Sequence, residues 1–530
     1  MADALLVSGG TVVDGTGGPG RHADVLLRAG RIAALGPGLD PPPGARILGA
    51  DGLVVAPGFV DLHTHADFTL LAFPGAASAV RQGVTTVVVG NCGGGVAPCS
   101  HEHDFRRTAF AYSSDWGVEV TWTSVGEYLE TLGGKGANVA ALVPHGAVRN
   151  AVMGLEARAP EAAELDRMLG LTREGLEAGA VGVSTGLEYQ PGSRAGTDEL
   201  AALCALASDR DGVHATHMRN RAERFASATE EALEISRRTG VRTQLSHVAP
   251  RPYAPPAETE AAFEAVERAR AEGHAVYVDT FPETWGPGNL ADLFPPEITQ
   301  GRPAEVLARL QDPRARRAVE EHFAAGRNFL VRAGGYEQIF VSSSPVRPEL
   351  TGRSLAGLAR EAGTTVGAWA CDTLLDAGSL LMSVGIRHVY ATEEDLDRVL
   401  ALPYCGLGSD GVVTDGEGDA CPFPWNASSY GYAARTLEHY VRERGLFTLE
   451  EAVRRLAALP AEAMGLRDRG LLRAGLAADV VVFDPARIHD RTTPEDVARH
   501  PEGVVHVLVN GVPVVEGGRP TGARPGSVVS

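Results

Sequence analysis

Residues 57–65 read PGFVDLHTH, a short apolar run that ends in two histidines separated by a single residue. Side chains alternate between the two faces of a strand, so His63 and His65 point to the same side. Barrel enzymes carry their chemical groups at the C-terminal ends of their strands. The stretch therefore predicts a buried strand that presents two imidazoles at its C-terminal end.

The centre of the chain repeats this pattern of short apolar runs, most of them followed by an amphipathic helical segment. Eight candidate strands are found, at residues 58–63, 84–89, 138–144, 180–185, 212–217, 242–247, 274–279 and 405–410. Alternation of strands and helices is typical of a parallel sheet, and eight such units predict an α/β fold, a (β/α)8 barrel over residues 58–464. The long gap after the seventh strand, with its Pro-rich start FPETWGPG, predicts an inserted subdomain near 282–345.

The two ends of the chain resemble each other and differ from the centre. Residues 1–57 and 465–530 consist of short β-rich runs broken by Gly, Asn-Gly and Asp-Gly, which are hairpin signals. We expect both ends to pair into one small β-sandwich domain beside the barrel.

Composition excludes several classes of function. The formal charge of −19 over 530 residues disfavours a nucleic-acid-binding surface. The N-terminus shows no signal-peptide pattern, and no apolar run approaches the ~20 residues that would span a bilayer, so no membrane partner is expected. Six cysteines without regular spacing predict no disulfide framework and a reducing cytoplasm. The oligomeric state is left open.

Good metal ligands and proton carriers gather at or just beyond the ends of five different predicted strands. A lone histidine or cysteine in such a place is more often a packed core residue. Six groups on one rim are not explained by packing alone, and imidazole with thiolate is the donor set that zinc prefers. The six residues are His63, His65, Cys92, His217, His247 and Asp410.

These motifs resemble those of a known group of enzymes. The motif PGFVDLHTH after a β-rich preamble is similar to the amidohydrolase superfamily of metal-dependent hydrolases. Within it, GVTTVVVGNCG, the STG of VGVSTGLEYQPG, ATHMR, the LSH of RTQLSH and GLGSDG resemble the N-acyl-D-amino-acid deacylases, and the resemblance spans essentially the whole chain.

The resemblance implies a zinc enzyme that hydrolyses an amide bond of a small N-acyl substrate. It implies that Cys92, His217 and His247 hold a tightly bound zinc ion. It also implies a second, weaker site in which His63 and His65 share Cys92, with Asp410 as the catalytic carboxylate. Whether turnover needs one metal or two is left open.

The position of the only lysine gives an independent check. Many superfamily members bridge two metals with a carboxylated lysine at the end of the fourth strand. Here that strand ends in Ser184, Thr185 and Gly186, and Lys135 lies in a loop before the third strand. We therefore expect no bridging carbamate, and Cys92 is the replacement.

The substrate contacts are less fully determined. Our candidates are His145 after the third strand, Tyr189 in GLEYQPG, Arg219 in THMRN and Arg251 in SHVAPRPY. The lysine that the deacylases carry after the sixth-strand histidine is absent, so the acyl group, side chain and stereochemistry stay open. Two alternatives also remain, a cyclic amidase resembling hydantoinases or dihydroorotases, and a catalytically inactive scaffold.

Overall fold

The computed structural model describes residues 4–112, 116–299, 303–344, 346–421, 423–493 and 496–530. Its strands are β1 Ala4–Val12, β2 Arg21–Arg28, β3 Arg31–Gly36, β4 Arg46–Gly49, β5 Val54–Pro57, β6 Phe59–Asp61, β7 Val84–Val89, β8 Asn138–Pro144, β9 Gly182–Gly186, β10 Val213–His217, β11 Arg242–Leu245, β12 Val276–Thr280, β13 Trp285–Asn289, β14 Ile339–Ser343, β15 Gly385–Val389, β16 Cys405–Leu407, β17 Val480–Phe483, β18 Val504–Val509, β19 Val512–Glu516 and β20 Arg519–Pro520.

The α-helices fill most of the intervals between barrel strands and most of the insertion. They are α1 Thr69–Ala72, α2 Ala77–Val80, α3 Val125–Thr131, α4 His145–Met153, α5 Ala162–Glu177, α6 Thr197–Ser208, α7 Phe225–Thr239, α8 Pro256–Ala271, α9 Pro296–Thr299, α10 Pro303–Gln311, α11 Pro313–Ala325, α12 Phe329–Arg332, α13 Leu355–Glu361, α14 Val366–Ala377, α15 Glu393–Leu400, α16 Ser428–Arg435, α17 Leu449–Leu456 and α18 Ala458–Ala463. A π-helical turn, Thr436–Glu443, continues α16.

Eight parallel strands form the central barrel, in the order β16-β12-β11-β10-β9-β8-β7-β6. Strands such as β7, VTTVVV, are buried along their whole length, as expected for a parallel sheet covered on both faces. The two strands at the ends of this order, β16 and β6, are joined just beyond their C-terminal ends, where the backbone N–H of Asp410 donates to the carbonyl of His63 at 2.9 Å. The α/β barrel predicted from the sequence is thus confirmed.

Strands from both ends of the chain lie in one nine-stranded sheet. Strand β17 pairs antiparallel with β5, which in turn pairs with β1. The apolar residues of these strands form a core of their own, which includes Val25, Leu27 and Val480. The last N-terminal strand of this sheet, β5, ends two residues before β6 begins. The sheet therefore fixes the position of the first barrel strand.

The insertion after β12 is larger than the sequence pattern predicts. Its three-stranded sheet has the order β13-β15-β14, and its separate core runs from Leu290 to Ile386, so it extends well past the predicted boundary of 345. Residue 345 itself lies outside the described residues. The predicted insertion is too short because β15 pairs with β13 only after two further helices, α13 and α14.

Candidate metal centre

Cys92 is turned toward the barrel axis by the glycine-rich stretch after β7. Gly90, Cys92 and Gly93 all have positive φ, at 80°, 52° and 65°. A Cβ at Gly93 would lie 2.5 Å from the backbone nitrogen of Gly186, so only glycine fits there. The glycine-rich run GNCGGG therefore allows the backbone to place the Cys92 thiol near the C-terminal ends of the neighbouring strands.

Backbone strain is concentrated at this rim. Seven described non-glycine residues have positive φ, and Cys92, His247 and Asp410 are three of them. A non-glycine residue in the left-handed region costs about 1–3 kcal/mol and persists only where the surrounding structure enforces it. Strained residues of this kind cluster at active sites, and three from separate loops converge here.

The first group of donor atoms consists of one sulfur and two ring nitrogens. Cys92 Sγ lies 3.8 Å from His217 Nδ1 and 3.4 Å from His247 Nε2, and the two nitrogens are 2.9 Å apart. All three side chains are at most 3% exposed. Lone pairs that meet this closely without solvent repel one another unless a proton or a cation lies between them.

The second group of donor atoms contacts the same sulfur through His63. His63 Nε2 is 3.3 Å from Cys92 Sγ and 3.6 Å from Asp410 Oδ1. His65 Nε2 is 3.1 Å from the same Asp410 oxygen. The two groups of donors therefore adjoin at Cys92. The sets of three whose ligand atoms lie close enough together to hold a metal ion are His63, Cys92 and His247, and His63, His65 and Asp410.

Two carboxylates, of buried Asp279 and partly buried Glu188, bind the ring nitrogens that point away from the other donor atoms. Asp279 Oδ2 lies 3.2 Å from His63 Nδ1 and accepts a hydrogen bond from Gln244 Nε2 at 3.0 Å. Glu188 Oε2 lies 2.8 Å from His217 Nε2. A carboxylate on the far nitrogen fixes the ring tautomer and raises the basicity of the nitrogen that faces the metal.

Charge at the site favours the ionised thiol and carboxylate. Burial alone would raise the pKa of the Cys92 thiol, but the imidazoles of His63 and His247 lower it well below its usual value. Burial would also raise the pKa of Asp410, yet the hydrogen bond from His65 and the charges of His63 and His247 lower it. Thiolate and carboxylate are the forms in which these groups bind metals.

The donor distances fit a tetrahedral zinc ion. Zinc bonds of about 2.0–2.1 Å to nitrogen and about 2.3 Å to sulfur place two nitrogen ligands about 3.4 Å apart, and a sulfur and a nitrogen about 3.6 Å apart. The two sulfur–nitrogen distances, 3.8 and 3.4 Å, lie on both sides of the sulfur–nitrogen value, and the distance between His217 Nδ1 and His247 Nε2, 2.9 Å, is shorter than the nitrogen–nitrogen value. Three protein ligands leave a fourth position open, the arrangement of catalytic zinc sites.

Two of the predicted substrate contacts are already engaged with the protein. His145 is fully buried at the start of α4, and its Nε2 lies 2.8 Å from Glu199. Arg219 donates twice to Glu231 and once each to the carbonyls of Ser193 and Ala195. These atoms of the two residues therefore hold neighbouring segments of the protein together, and a substrate role for either residue stays a prediction.

The other two predicted contacts lie beside the donor atoms. The ring of Tyr189 is 4.5 Å from that of His217, measured between centroids. Arg251 is buried and pairs with Glu188, the carboxylate behind His217. Arg251 therefore reaches the rim as half of an ion pair rather than as a free cation.

Lys135 lies away from the donor atoms. Its ammonium group donates to the carbonyls of Thr131 and Gly133, at 2.9 and 3.3 Å, near the end of α3. Strand β9 ends at Gly186, and no lysine is present in it. The structure thus offers no carbamate at the fourth strand.

Three residues beside the site were missed by sequence reasoning. Glu188 precedes the predicted Tyr189, Arg221 lies two residues beyond Arg219, and Phe110 packs on His65 with ring centroids 4.3 Å apart. Glu188 and Arg221 could have been found from the sequence, because both lie in loops that follow the predicted rim strands. Phe110 belongs to a separate loop and left no pattern in the sequence.

The C-terminal rim of the barrel carries one cysteine, four histidines and an aspartate. This fold and this set of residues are those of the metal-dependent barrel hydrolases predicted from PGFVDLHTH. Comparison with known families agrees, since the amidohydrolase family model matches residues 46–515. The chain belongs to the amidohydrolase family. Among the described residues, no helix is both long and apolar enough to cross a membrane.

Three relatives match over nearly their whole length. N-acyl-D-glutamate deacylase of Alcaligenes xylosoxydans xylosoxydans is 37% identical, covering 99% of this chain and 96% of the relative. A crystal structure of N-acyl-D-glutamate deacylase from Bordetella bronchiseptica, with zinc and a phosphonate mimic of the tetrahedral intermediate, is 34% identical with a TM-score of 0.81, covering 99% of both chains. A D-aminoacylase structure that addresses a binuclear metal centre, one-metal activation and second-metal attenuation is 31% identical with a TM-score of 0.79, covering 100% of both.

Proposed function

We propose that this chain is a zinc-dependent deacylase that hydrolyses the amide bond of N-acyl-D-amino acids. The observation that carries the proposal is the convergence of Cys92 Sγ, His217 Nδ1 and His247 Nε2 within 3.8 Å of one another beside the carboxylate of Asp410. The names of the similar proteins, which act on N-acyl-D-glutamate and related compounds, support the same substrate class.

In this proposal Cys92, His217 and His247 hold the tight zinc ion. His63 and His65 form a second, weaker site that shares Cys92, in keeping with the short distance from Cys92 Sγ to His63 Nε2. When bound, zinc supplies Lewis acidity, lowering the pKa of water to about 7 and polarising a carbonyl group.

Asp410 is proposed as the proton carrier. Its lowered pKa keeps the carboxylate ionised at neutral pH, ready to accept a proton from the attacking water. The bond between that water and the substrate carbonyl forms as the proton moves to Asp410. The C–N bond then breaks as Asp410 returns the proton to the leaving nitrogen, so the products are a carboxylic acid and a free amine. His65, 3.1 Å from Asp410 Oδ1, holds the carboxylate in place.

The remaining features of the proposal concern organisation and location. We propose that residues 1–57 and 465–530 form one domain and 58–464 the catalytic barrel, supported by the pairing of β5 with β17. All six cysteines are free in the structure, which supports the proposed cytoplasmic location. The proposed partner is a small N-acyl compound.

The test is zinc content and turnover, measured on wild type and Asp410→Asn. The substrates are N-acetyl-D-amino acids, N-acetyl-L-amino acids and cyclic amides. We expect zinc in both proteins, hydrolysis of the D-compounds by wild type, and a loss of about 10²–10⁴-fold in kcat for the variant. Full turnover by zinc-loaded Asp410→Asn would refute the proton-carrier role, and turnover of cyclic amides alone would refute the substrate class.

A further inference from the structure

A substrate that is an N-acyl amino acid brings a carboxylate into the pocket, and a buried carboxylate needs a cation or several donors. This inference rests on the proposed function. The loops after β10 and β11 supply three arginines, Arg219, Arg221 and Arg251. Their hydrogen bonds decide which of them is available.

Two of the three are neutralised by the protein. Arg219 forms a two-bond ion pair with Glu231, and its remaining donors reach carbonyl groups. Arg251 pairs with Glu188 and stacks on the ring of Phe329, 4.0 Å from its centroid. Arg219 has no edge left for a ligand, and the charge of Arg251 is balanced by Glu188.

Arg221 differs from both. It is only 4% exposed, yet no carboxylate of the described residues forms an ion pair with it. Its Nη1 donates to the carbonyls of His247 and Ala249 at 2.8 and 2.7 Å, which fixes the guanidinium against the loop of a metal-ligand candidate. Its Nε is buried without a hydrogen-bond partner, and Nη2 makes no hydrogen bond within the described ranges.

The free edge of Arg221 has the shape of a carboxylate site. Nε and Nη2 lie along the same edge of the planar guanidinium group, so together they can donate two parallel bonds to one carboxylate. The guanidinium carbon is 5.1 Å from the ring centroid of Tyr390, which supplies an apolar wall. The unused donors therefore belong to one bidentate edge rather than to scattered atoms.

The local charge balance leaves one positive charge unpaired. Arg221 and Arg251 both act on His388, whose pKa is lowered to about 4 by burial and then by these two guanidiniums. Glu188 forms ion pairs with Arg251 and His217, and it acts on Arg221 only through charge, without a hydrogen bond. A buried cation without a counter-ion is costly, and an anionic ligand would remove that cost.

We propose that Arg221 is the carboxylate-binding residue of the substrate pocket, with Nε and Nη2 donating to one carboxylate of the N-acyl amino acid. That carboxylate is either the α-carboxylate or a side-chain carboxylate such as that of glutamate. Either source presents the same chemistry to the guanidinium, and the choice of substrates separates them.

The test compares kcat/KM of zinc-loaded wild type, Arg221→Met and Arg221→Lys on N-acetyl-D-glutamate, N-acetyl-D-glutamine and the α-amides of both. We expect Arg221→Met to lose about 100-fold on carboxylate substrates, at least ten times its loss on the matching amides. Loss on glutamate and its α-amide, with glutamine spared, assigns the side-chain carboxylate. Loss on both acids, with both α-amides spared, assigns the α-carboxylate. Arg221→Lys, which keeps the charge, recovers part of the loss.

Arg219→Met is the matched control, because its guanidinium already pairs with Glu231. It should change kcat/KM by the same factor on acids and amides. Equal losses of Arg221→Met on all four substrates would overturn the proposal. If Arg221→Met fails to fold, wild type still decides, because a wild type that does not prefer the acids over their amides contradicts an Arg221 carboxylate site.

Failure of the proposed function is distinguishable from failure of this inference. Binding of N-acetyl-D-glutamate to zinc-loaded Asp410→Asn, followed by calorimetry, needs no turnover. Adding Arg221→Met to that variant should weaken binding about 100-fold. If wild type hydrolyses no N-acyl-D-amino acid but this binding difference is found, the deacylase proposal fails and the carboxylate site stands. If binding is equal in both variants, the carboxylate site fails.

Discussion

Glu188 Oε2 lies 2.8 Å from His217 Nε2, on the opposite side of the imidazole from Nδ1, which lies 3.8 Å from Cys92 Sγ. Burial would raise the pKa of Glu188, but Arg251 and His217 hold it well below its usual range. The carboxylate is therefore ionised and accepts the Nε2 proton, which leaves Nδ1 as the lone-pair nitrogen. The contact with Glu188 thus selects the His217 tautomer that can bind a metal.

Replacement of this carboxylate should weaken metal binding without removing a ligand. We expect Glu188→Gln to lower zinc affinity about 10–100-fold, the usual effect of losing an outer hydrogen-bond partner of a metal-bound histidine. Competition with a chelator of known affinity measures it. Glu231→Gln is the control, because Glu231 pairs with Arg219 rather than with a ligand, and its zinc affinity should equal that of wild type. Equal affinities for Glu188→Gln and wild type would contradict the orienting role.

Cys92 should be the most sensitive position at the site, since it lies between the two groups of donors. Cys92→Ala should cost more zinc affinity than Glu188→Gln, that is, more than about 10–100-fold, and should abolish turnover. Cys204→Ala is the matched control, because Cys204 is equally buried but lies in the apolar core, where burial raises the pKa of its thiol. Metal analysis after dialysis checks both variants. Full zinc content in Cys92→Ala would mean that the histidines alone hold the ion.

The sequence predicted the barrel and the rim residues well because both depend on local patterns. A run such as VTTVVV predicts a buried strand wherever it lies, and the residues just beyond it must then reach the rim. The positive φ of Cys92 and His247 could not be read in this way. Those conformations come from the packing of separate loops rather than from the residues themselves.

The substrate contacts were harder because charge pairing is a tertiary property. Arg219 and Arg221 stand two residues apart in THMRNR, and nothing in their spacing says which one meets Glu231. His145 has the right place after its strand, yet Glu199 from α6 holds its ring. The insertion boundary failed for a similar reason, because the last strand of its sheet returns about a hundred residues after the first.

Lys135 should be dispensable for metal binding. Lys135→Met should keep full zinc content and turnover, also in buffer depleted of carbon dioxide, because no carbamate is involved. It should lose about 1 kcal/mol of unfolding free energy, since the ammonium group donates to the carbonyls of Thr131 and Gly133. Denaturant unfolding and metal analysis check the two effects. Loss of zinc in this variant, in protein that is still folded, would contradict the assignment of Cys92 as the replacement for a bridging lysine.

His500 gives the fold a dependence on pH that is independent of the metal ligands. It is 2% exposed, and burial, with the nearby charges of Arg81 and Arg491, lowers its pKa to about 3. Between this value and the unfolded pKa of about 6.5, the unfolded chain binds a proton that the folded chain does not. The stabilising contribution is therefore complete above pH 6.5 and is lost as the pH falls toward 3.

Between pH 7 and pH 5 this loss amounts to about 2 kcal/mol of unfolding free energy from His500 alone. His500→Gln should therefore lose less stability than wild type over the same interval, by about that amount. Denaturant unfolding at both pH values measures the difference, and release of metal by acid affects both proteins alike. His22→Gln serves as the control, because His22 is exposed and should leave the pH dependence of wild type unchanged. Parallel pH profiles for wild type and His500→Gln would show that His500 takes up its proton in the folded protein.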